Sequence, residues 1–393
     1  MRSDVACTLL VLICAAPSAG QLPCSVPADV LVPDLSSLPK TQADAMVAEW
    51  KQHIQEMREH RRDWSWQVDW GLFGSVGRPG SCLPPDCASV ANLSAEGFVA
   101  RDKNGPVRVR SATYDRGPRR IVFVVENAKK MPVAARKIEA AVISHILAKA
   151  RPQDSFALLT ARGPGLALRF GSSRDAIRAA AEQLGNPPQG EPGGEGVLDA
   201  VLEATTWFQQ PQPGDSIIVM ALRLEGKHNA SFSDLRAAVT AGRIRVFGFQ
   251  LGEYSYEDLG RGRTFESWDV QDFGRSVLFD WIRALAEATG GALVLENTEE
   301  GKQYKLTDDR LKELQVGGEM IYRRVVECYI LQLDSIGPHL VIGLAPPVLE
   351  QLPWASVVYP KSLPPCSNTT TPTPAQPETT KRHPGVKRRP FLR

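Results

Sequence analysis

Residues 121–131 read IVFVVENAKKM, five β-branched or aromatic residues followed abruptly by Glu126, Asn127, Lys129 and Lys130. An unbroken apolar run of this length predicts a strand buried on both faces, with a polar loop at its carboxyl end. From Arg119 onward strands and helices alternate. A helix over 132–150 carries Ile138, Ala141, Val142 and Ile146 on one face, and strands follow at Ser155–Thr160 and Leu166–Phe170. Helices near 173–184 and 196–208 lead to strand Ser216–Leu222, helix 232–241 and strand Ile244–Gln250. A helix over 275–289 stops at Gly290-Gly291, and ALVLEN, a helix over 307–326 and strand Cys328–Leu333 complete the series. Such alternation predicts a mostly parallel sheet with helices on both faces.

The segment before Arg119 reads differently. Residues 21–40 are punctuated by proline and lack a clear period. Over 41–62 the residues Met46, Trp50, Ile54 and Met57 form one helical stripe. Its polar face mixes acids with bases, which suits packing on the main domain better than lying in a membrane. Trp64, Trp66 and Trp70 follow, then a Gly/Pro/Cys loop over 71–91. GFVARD and VRVRSATY are two extended segments joined through Lys103-Asn104-Gly105, a hairpin signal. Residues 253–274 fit no period and predict a long loop at a strand's carboxyl edge. The Thr/Pro-rich and then basic end of the chain predicts a solvated tail.

Charge adds little, since 46 basic against 44 acidic residues leave +2 and call for neither nucleic acid nor an anionic membrane. The amino terminus, MRSDVACTLLVLICAAPSAGQ, has one early arginine, a short apolar run and small residues after it. That is the pattern of a secretory signal, too short to span a bilayer. Cleavage would leave Cys24, Cys82, Cys87, Cys328 and Cys366. Cys82 and Cys87 flank LPPD and are read either as a disulfide or as two loop thiols. The odd number leaves at least one thiol unpaired within the chain, and no second close cysteine pair or nearby histidine supports zinc.

The strand IVFVV with ENAKKM resembles the first strand and loop of a von Willebrand factor A domain, where the strand leads into Asp-x-Ser-x-Ser and usually Met. GGEGVLDAV resembles that family's Gly-Gly-Thr loop and helix, IIVMALRLEGKHNAS its fourth strand and loop, and RIRVFGFQLG its fifth strand. FDWIRALAEATGGALVLEN is similar to the closing helix and strand, and the surrounding segments are similar to secreted A-domain proteins frequent in Acidobacteria. The resemblance covers roughly residues 119–335 and implies an α/β, doubly wound, mostly parallel Rossmann-like sheet, preceded by a helix and a β-hairpin. The expected organisation is a signal peptide at 1–20, a helical and loop region at 21–90 and the hairpin at 91–118. The A-like domain at 119–335, an extension at 336–366 and the tail at 367–393 complete it.

The family holds a divalent cation through an aspartate, two serines, a threonine and a further aspartate. Matched in order, those positions here are Glu126, Ala128, Lys130, Glu195 and Glu225, or Arg223 if the last register shifts. A hard cation needs several oxygens converging at about 2.0–2.6 Å. Ala128 offers none and Lys130 brings a positive charge, so the expectation is a degenerate site with no metal and no cofactor. The ammonium of Lys130 or Lys129 would stand in for the ion, or the lysines point to solvent and the site has decayed. An alternative keeps a metal in altered geometry on Glu126, Glu195 and Glu225.

No nucleophile elbow, zinc helix, phosphate loop or dinucleotide fingerprint is present in the sequence. Among the histidines only His228, beside Lys227, invites a test for chemistry. The expected function is an exported, secreted or periplasmic, non-enzymatic binding or scaffold protein. Its partner would be a protein, with no nucleic acid and no integral membrane segment in the mature chain.

Overall fold

Ile121 to Val125 are all buried, each at most 1% exposed, as a run without polar alternation requires. Successive side chains of a strand point to opposite faces, so the run feeds two cores. Ile121, Phe123 and Val125 join one cluster with Ile138, Ile143, Leu314 and Ile321. Val122 and Val124 join a second with Val201, Leu235 and Leu285.

The computed structural model describes residues 24–33, 40–41, 44–45, 48, 87–128, 131–161, 165–186, 196–221, 229–252, 277–297, 306–337, 339–352, 355–364 and 366–367. The strands begin with β1 (Ser25–Pro33), β2 (Cys87–Ser89), β3 (Phe98–Asp102), β4 (Gly105–Val107), β5 (Val109–Asp115) and β6 (Arg120–Glu126). They continue with β7 (Ser155–Ala161), β8 (Ala167–Leu168), β9 (Ser216–Ala221), β10 (Arg245–Gly252), β11 (Leu293–Asn297) and β12 (Cys328–Leu333). The short β13 (Ser335–Ile336), β14 (Val341–Leu344), β15 (Ser356–Val358) and β16 (Cys366–Ser367) close the series. The helices are α1 (Val133–Lys149), α2 (Arg174–Leu184), α3 (Val197–Thr205), α4 (Phe232–Ala241), α5 (Val277–Thr289), α6 (Asp308–Val326) and α7 (Pro346–Gln351).

A six-stranded sheet runs in the order β11-β10-β9-β6-β7-β8. Its pairs are parallel except β7 with β8. Helix starts follow local chemistry. The Ser173 and Ser231 hydroxyls and the Thr307 hydroxyl accept from backbone amides three residues on, at 3.1–3.2 Å, and so cap α2, α4 and α6. Gly290, at φ +69°, turns the chain out of α5, and a Cβ on Gly291 would stand 1.7 Å from the Val246 carbonyl. The close approach of the α5–β11 turn to β10 therefore depends on glycine.

The strand Cys328–Leu333, expected to complete the parallel alternation, leaves it. It pairs antiparallel with β1 on one side and β5 on the other. The resulting sheet has the order β15-β1-β12-β5, with β2 also on β1. The region around Lys103-Asn104 pairs β3 antiparallel with β4, Asp102 opposite Gly105, and β14 joins the other edge of β3. The segment VRVRSATY divides at Arg108: Val107 ends the β3–β4 pair, whereas Val109–Asp115 crosses to β12. These sheets share a third core that includes Val26, Val30, Phe98, Tyr329, Leu331 and Ile342. The α/β unit thus leaves from β5 and returns into β12, two strands lying side by side, Asp115 opposite Cys328. Residues from both flanks build the second layer, and a disulfide between Cys24 and Cys366 joins its ends.

Buried charge marks the junction. Asp29 of β1, 1% exposed, accepts on one oxygen from Arg245 of β10 at 2.6 Å and from Arg324 of α6 at 2.9 and 3.1 Å. Both guanidiniums also donate to the Gly290–Gly291 turn. Burial lowers the Arg324 pKa, with Asp29 opposing that shift and Arg245 adding to it. Arg119 bonds Asp115 at 2.8 Å and the Val325 carbonyl at 3.1 Å, and so clasps the point where β5 meets α6. The buried Cys328 thiol lies beside it, its pKa raised by burial.

The stripe Met46, Trp50, Ile54 and Met57, the three tryptophans and the 253–274 loop lie outside the described residues. So do Cys82 and the side chain of Cys87, and with them the expected pairing.

Candidate functional site

The carboxyl ends of the parallel strands carry the loops singled out from the sequence. Glu126 ends β6 opposite Ala161 of β7 and is 3% exposed. The Asn127 amide donates to the Ala161 carbonyl at 2.8 Å, and the Met131 amide closes a turn on the Ala128 carbonyl at 2.9 Å. Asn127 and Met131 are buried, and Ala128 is half-buried. Pro132, at φ −57°, then starts α1.

A cation enters this turn from an unexpected place. Arg136, in the first turn of α1 and 1% exposed, donates to the Asn127 side-chain oxygen, to the Ala128 carbonyl and, at 3.4 Å, to the Met131 carbonyl. A positive charge in a helix's first turn faces the positive end of the helix dipole. Its place here is explained by the three oxygens it satisfies. Burial lowers its pKa, and the fields of Glu139 and then Glu126 oppose that shift. Glu139, one turn further along α1, is 2% exposed, and its Oε1 has no hydrogen-bond partner. Burial pushes the Glu139 carboxyl well above its ordinary value; the field of Glu126 adds to this and that of Arg136 opposes it.

A second buried carboxylate ties neighbouring loops together. Asp199 lies at the third position of α3, 7% exposed. It accepts from the Gly196 amide at 3.2 Å, the Asn229 amide at 3.0 Å and the Ala230 amide at 2.6 Å. One side chain therefore joins the helix after the GGEG loop to the loop that follows β9.

Of the positions matched to the metal site, the structure places Glu126 and Ala128 together at the end of β6. Lys130, Glu195 and Glu225 lie outside the described residues, as do Lys129, Arg223, Lys227 and His228. Arg136, Glu139 and Asp199 were not singled out. A signal for the first two is nonetheless present, because 136, 139, 143 and 146 form one helical stripe in which the last two are isoleucine. Charges set in line with core residues need a partner inside. His145, on the same helix, meets Glu319 of α6 at 3.1 Å.

No family model matches the chain, and no curated protein matches it. Solved structures similar to it do exist. Von Willebrand factor A domains are among them. Proximal thread matrix protein 1 from the mussel byssus is similar at 13% identity and a TM-score of 0.38, over 56% of this chain and 50% of that one. This chain therefore spans half the length of the mussel protein. BatB from Bacteroides thetaiotaomicron is similar at 16% identity and a TM-score of 0.35, over 52% of this chain and 98% of that one. The SpRpn10 VWA domain is similar at 12% identity and 0.32, over 51% and 94%. At these scores the likeness carries no activity and no partner to this chain.

The divalent ion that the sequence resemblance implies at these loops does not fit the described residues. Ala128 offers no side-chain oxygen, and the oxygens of Asn127, Ala128 and Met131 already receive a guanidinium. Among the described residues no three of histidine, cysteine, aspartate and glutamate stand together as a metal would need.

Proposed function

We propose that the protein is an exported, non-enzymatic binding or scaffold protein. It meets a protein partner through the loops at the carboxyl ends of its doubly wound sheet, without a metal ion. The observation that carries this reading is the bracing of those loops by buried side chains. Arg136 bonds the turn after β6, and Asp199 ties Gly196 at the start of α3 to Asn229 and Ala230, while Asn229 remains exposed. A rigid scaffold that positions loops is how binding surfaces are commonly built. Export is supported by the Cys24–Cys366 disulfide, a bond that persists in oxidising compartments. Among the described residues no helix is long and apolar enough to cross a membrane.

Site-specific photo-crosslinking tests the reading. A photoreactive residue at Asn229 in the exporting cell should give a discrete adduct. The same residue at exposed Gln210, at the opposite end of the sheet beside Arg120, should not. Identical patterns from the two positions would refute binding by this face.

A further inference from the structure

The fold calls for a cation at the end of β6, and the described residues there already surround one. We propose that the guanidinium of Arg136 is the resident cation of this site. It joins Asn127 and Ala128 at the end of β6 to Met131 before α1, and it occupies the oxygens a divalent ion would need there.

The geometry supplies the argument. A planar guanidinium presents several N–H donors in a fixed fork, and it stays charged where an ammonium would give up its proton. Here the fork reaches the Asn127 side-chain oxygen and the carbonyls of Ala128 and Met131, the oxygens that line the turn from inside. The charge has acidic company at Glu126 and Glu139, both buried, whose fields act on it. Without the guanidinium, one amide oxygen and two carbonyls lose their donor beside two buried carboxyls, and oxygens are the ligands hard cations take. Arg136 therefore does electrostatically what an ion would do, but by covalent attachment, so its occupancy cannot vary with ion concentration. Lys129 and Lys130, for which that role was expected, lie outside the described residues. The inference goes beyond the binding reading, because it stands whether or not the loops meet a partner.

Thermal melting of the full chain tests it, with EDTA and then with millimolar magnesium, calcium or manganese. The parent should melt at one temperature in all four. R136Q, which removes the charge but keeps hydrogen-bonding capacity, should melt lower in EDTA. It should recover part of the loss with at least one of the ions, saturably. R136K keeps the charge without the fork, so it should fold, melt below the parent and remain indifferent to ions. A saturable rise of the parent's melting temperature with any of the ions would overturn the proposal. So would an R136Q protein that melts with the parent or ignores every ion, or an R136K protein that becomes ion-dependent. If R136Q is recovered only as aggregate, the parent and R136K arms decide. Crosslinking from Asn229 reads partner contact separately, so its failure leaves this result untouched.

Discussion

Replacing Asp29 by asparagine removes a carboxylate that bonds two buried guanidiniums while keeping the shape of the side chain. In the parent, a single oxygen of Asp29 accepts three bonds at 2.6, 2.9 and 3.1 Å from Arg245 and Arg324. Asparagine leaves each of the three bonds charged on one side, so the cost should lie somewhat below the ~3–5 kcal/mol of breaking a buried ion pair by removing one partner, at ~2–4 kcal/mol. The loss is bounded, because both arginines keep bonds to the carbonyls of Gly290 and Gly291. At about 2–4 °C per kcal/mol for a domain of a couple of hundred residues, the melting temperature should fall by roughly 4–16 °C. Circular dichroism melts of parent and D29N measure it. Because Asp29 belongs to the second layer and both arginines to the α/β unit, amide exchange in β1 should also quicken before that in β6. A D29N protein melting within about 2 °C of the parent would show that the carbonyls alone satisfy the guanidiniums, and would refute the reasoning.

Glu139 gives a pH test. Its folded pKa lies well above the ordinary value of 4.5, so above pH 4.5 the folded state holds a proton that the unfolded state releases. Stability must then fall as pH rises from that value through the folded pKa. Glu139→Gln removes the window, and the variant's melting temperature should gain on the parent's steadily with pH, as melts from pH 4 to 8 would show; a constant difference would refute the assignment. Reducing Cys24–Cys366, which closes a loop spanning 342 positions, should lower the melting temperature by the equivalent of ~2–5 kcal/mol in the chain-entropy account. Melting unchanged by reductant, with both thiols alkylated, would deny it a stabilising role.

The parallel sheet was legible because Ile121–Val125 is apolar at every position, and only a strand covered on both faces tolerates that. Gly290 and Gly291 likewise marked a helix end where the structure has one. The second layer was not legible. Cys328–Leu333 reads as a strand, but its period says nothing of which sheet it joins, and its partner Ser25–Ala28 lies some three hundred residues away. Ser25–Pro33 itself was hidden by its prolines. Pro27 is tolerated where β1 pairs with β12 alone, since a strand with one open side can lack a donor there. At the site, Glu126 and Ala128 could be placed from the strand they end. Arg136 and Asp29 could not, because a lone charge in sequence reads by default as solvated. Only the stripe shared with Ile143 and Ile146 hinted that Arg136 points inward.

The interleaving of β1 with β12 has a consequence for synthesis. Ser25 finds its partner Gln332 only after 307 further residues have been made. At roughly 5–20 residues per second that is an interval of ~15–60 s. Throughout it the Ser25–Ala28 half of the strand, carrying Val26, lacks its partner, and only the Leu31–Pro33 end can pair earlier, with β2. An open strand edge is the kind of segment that pairs with whatever strand it meets. Meanwhile the α/β unit, whose sheet and helices lie between β5 and β12, can complete its own two cores. Its last helix then delivers β12 beside β5, and only with that step does the Ser25–Ala28 half of β1 acquire its partner. The earliest strand to emerge is thus among the latest to be secured, and in the meantime it must be shielded by a chaperone or by its own brevity.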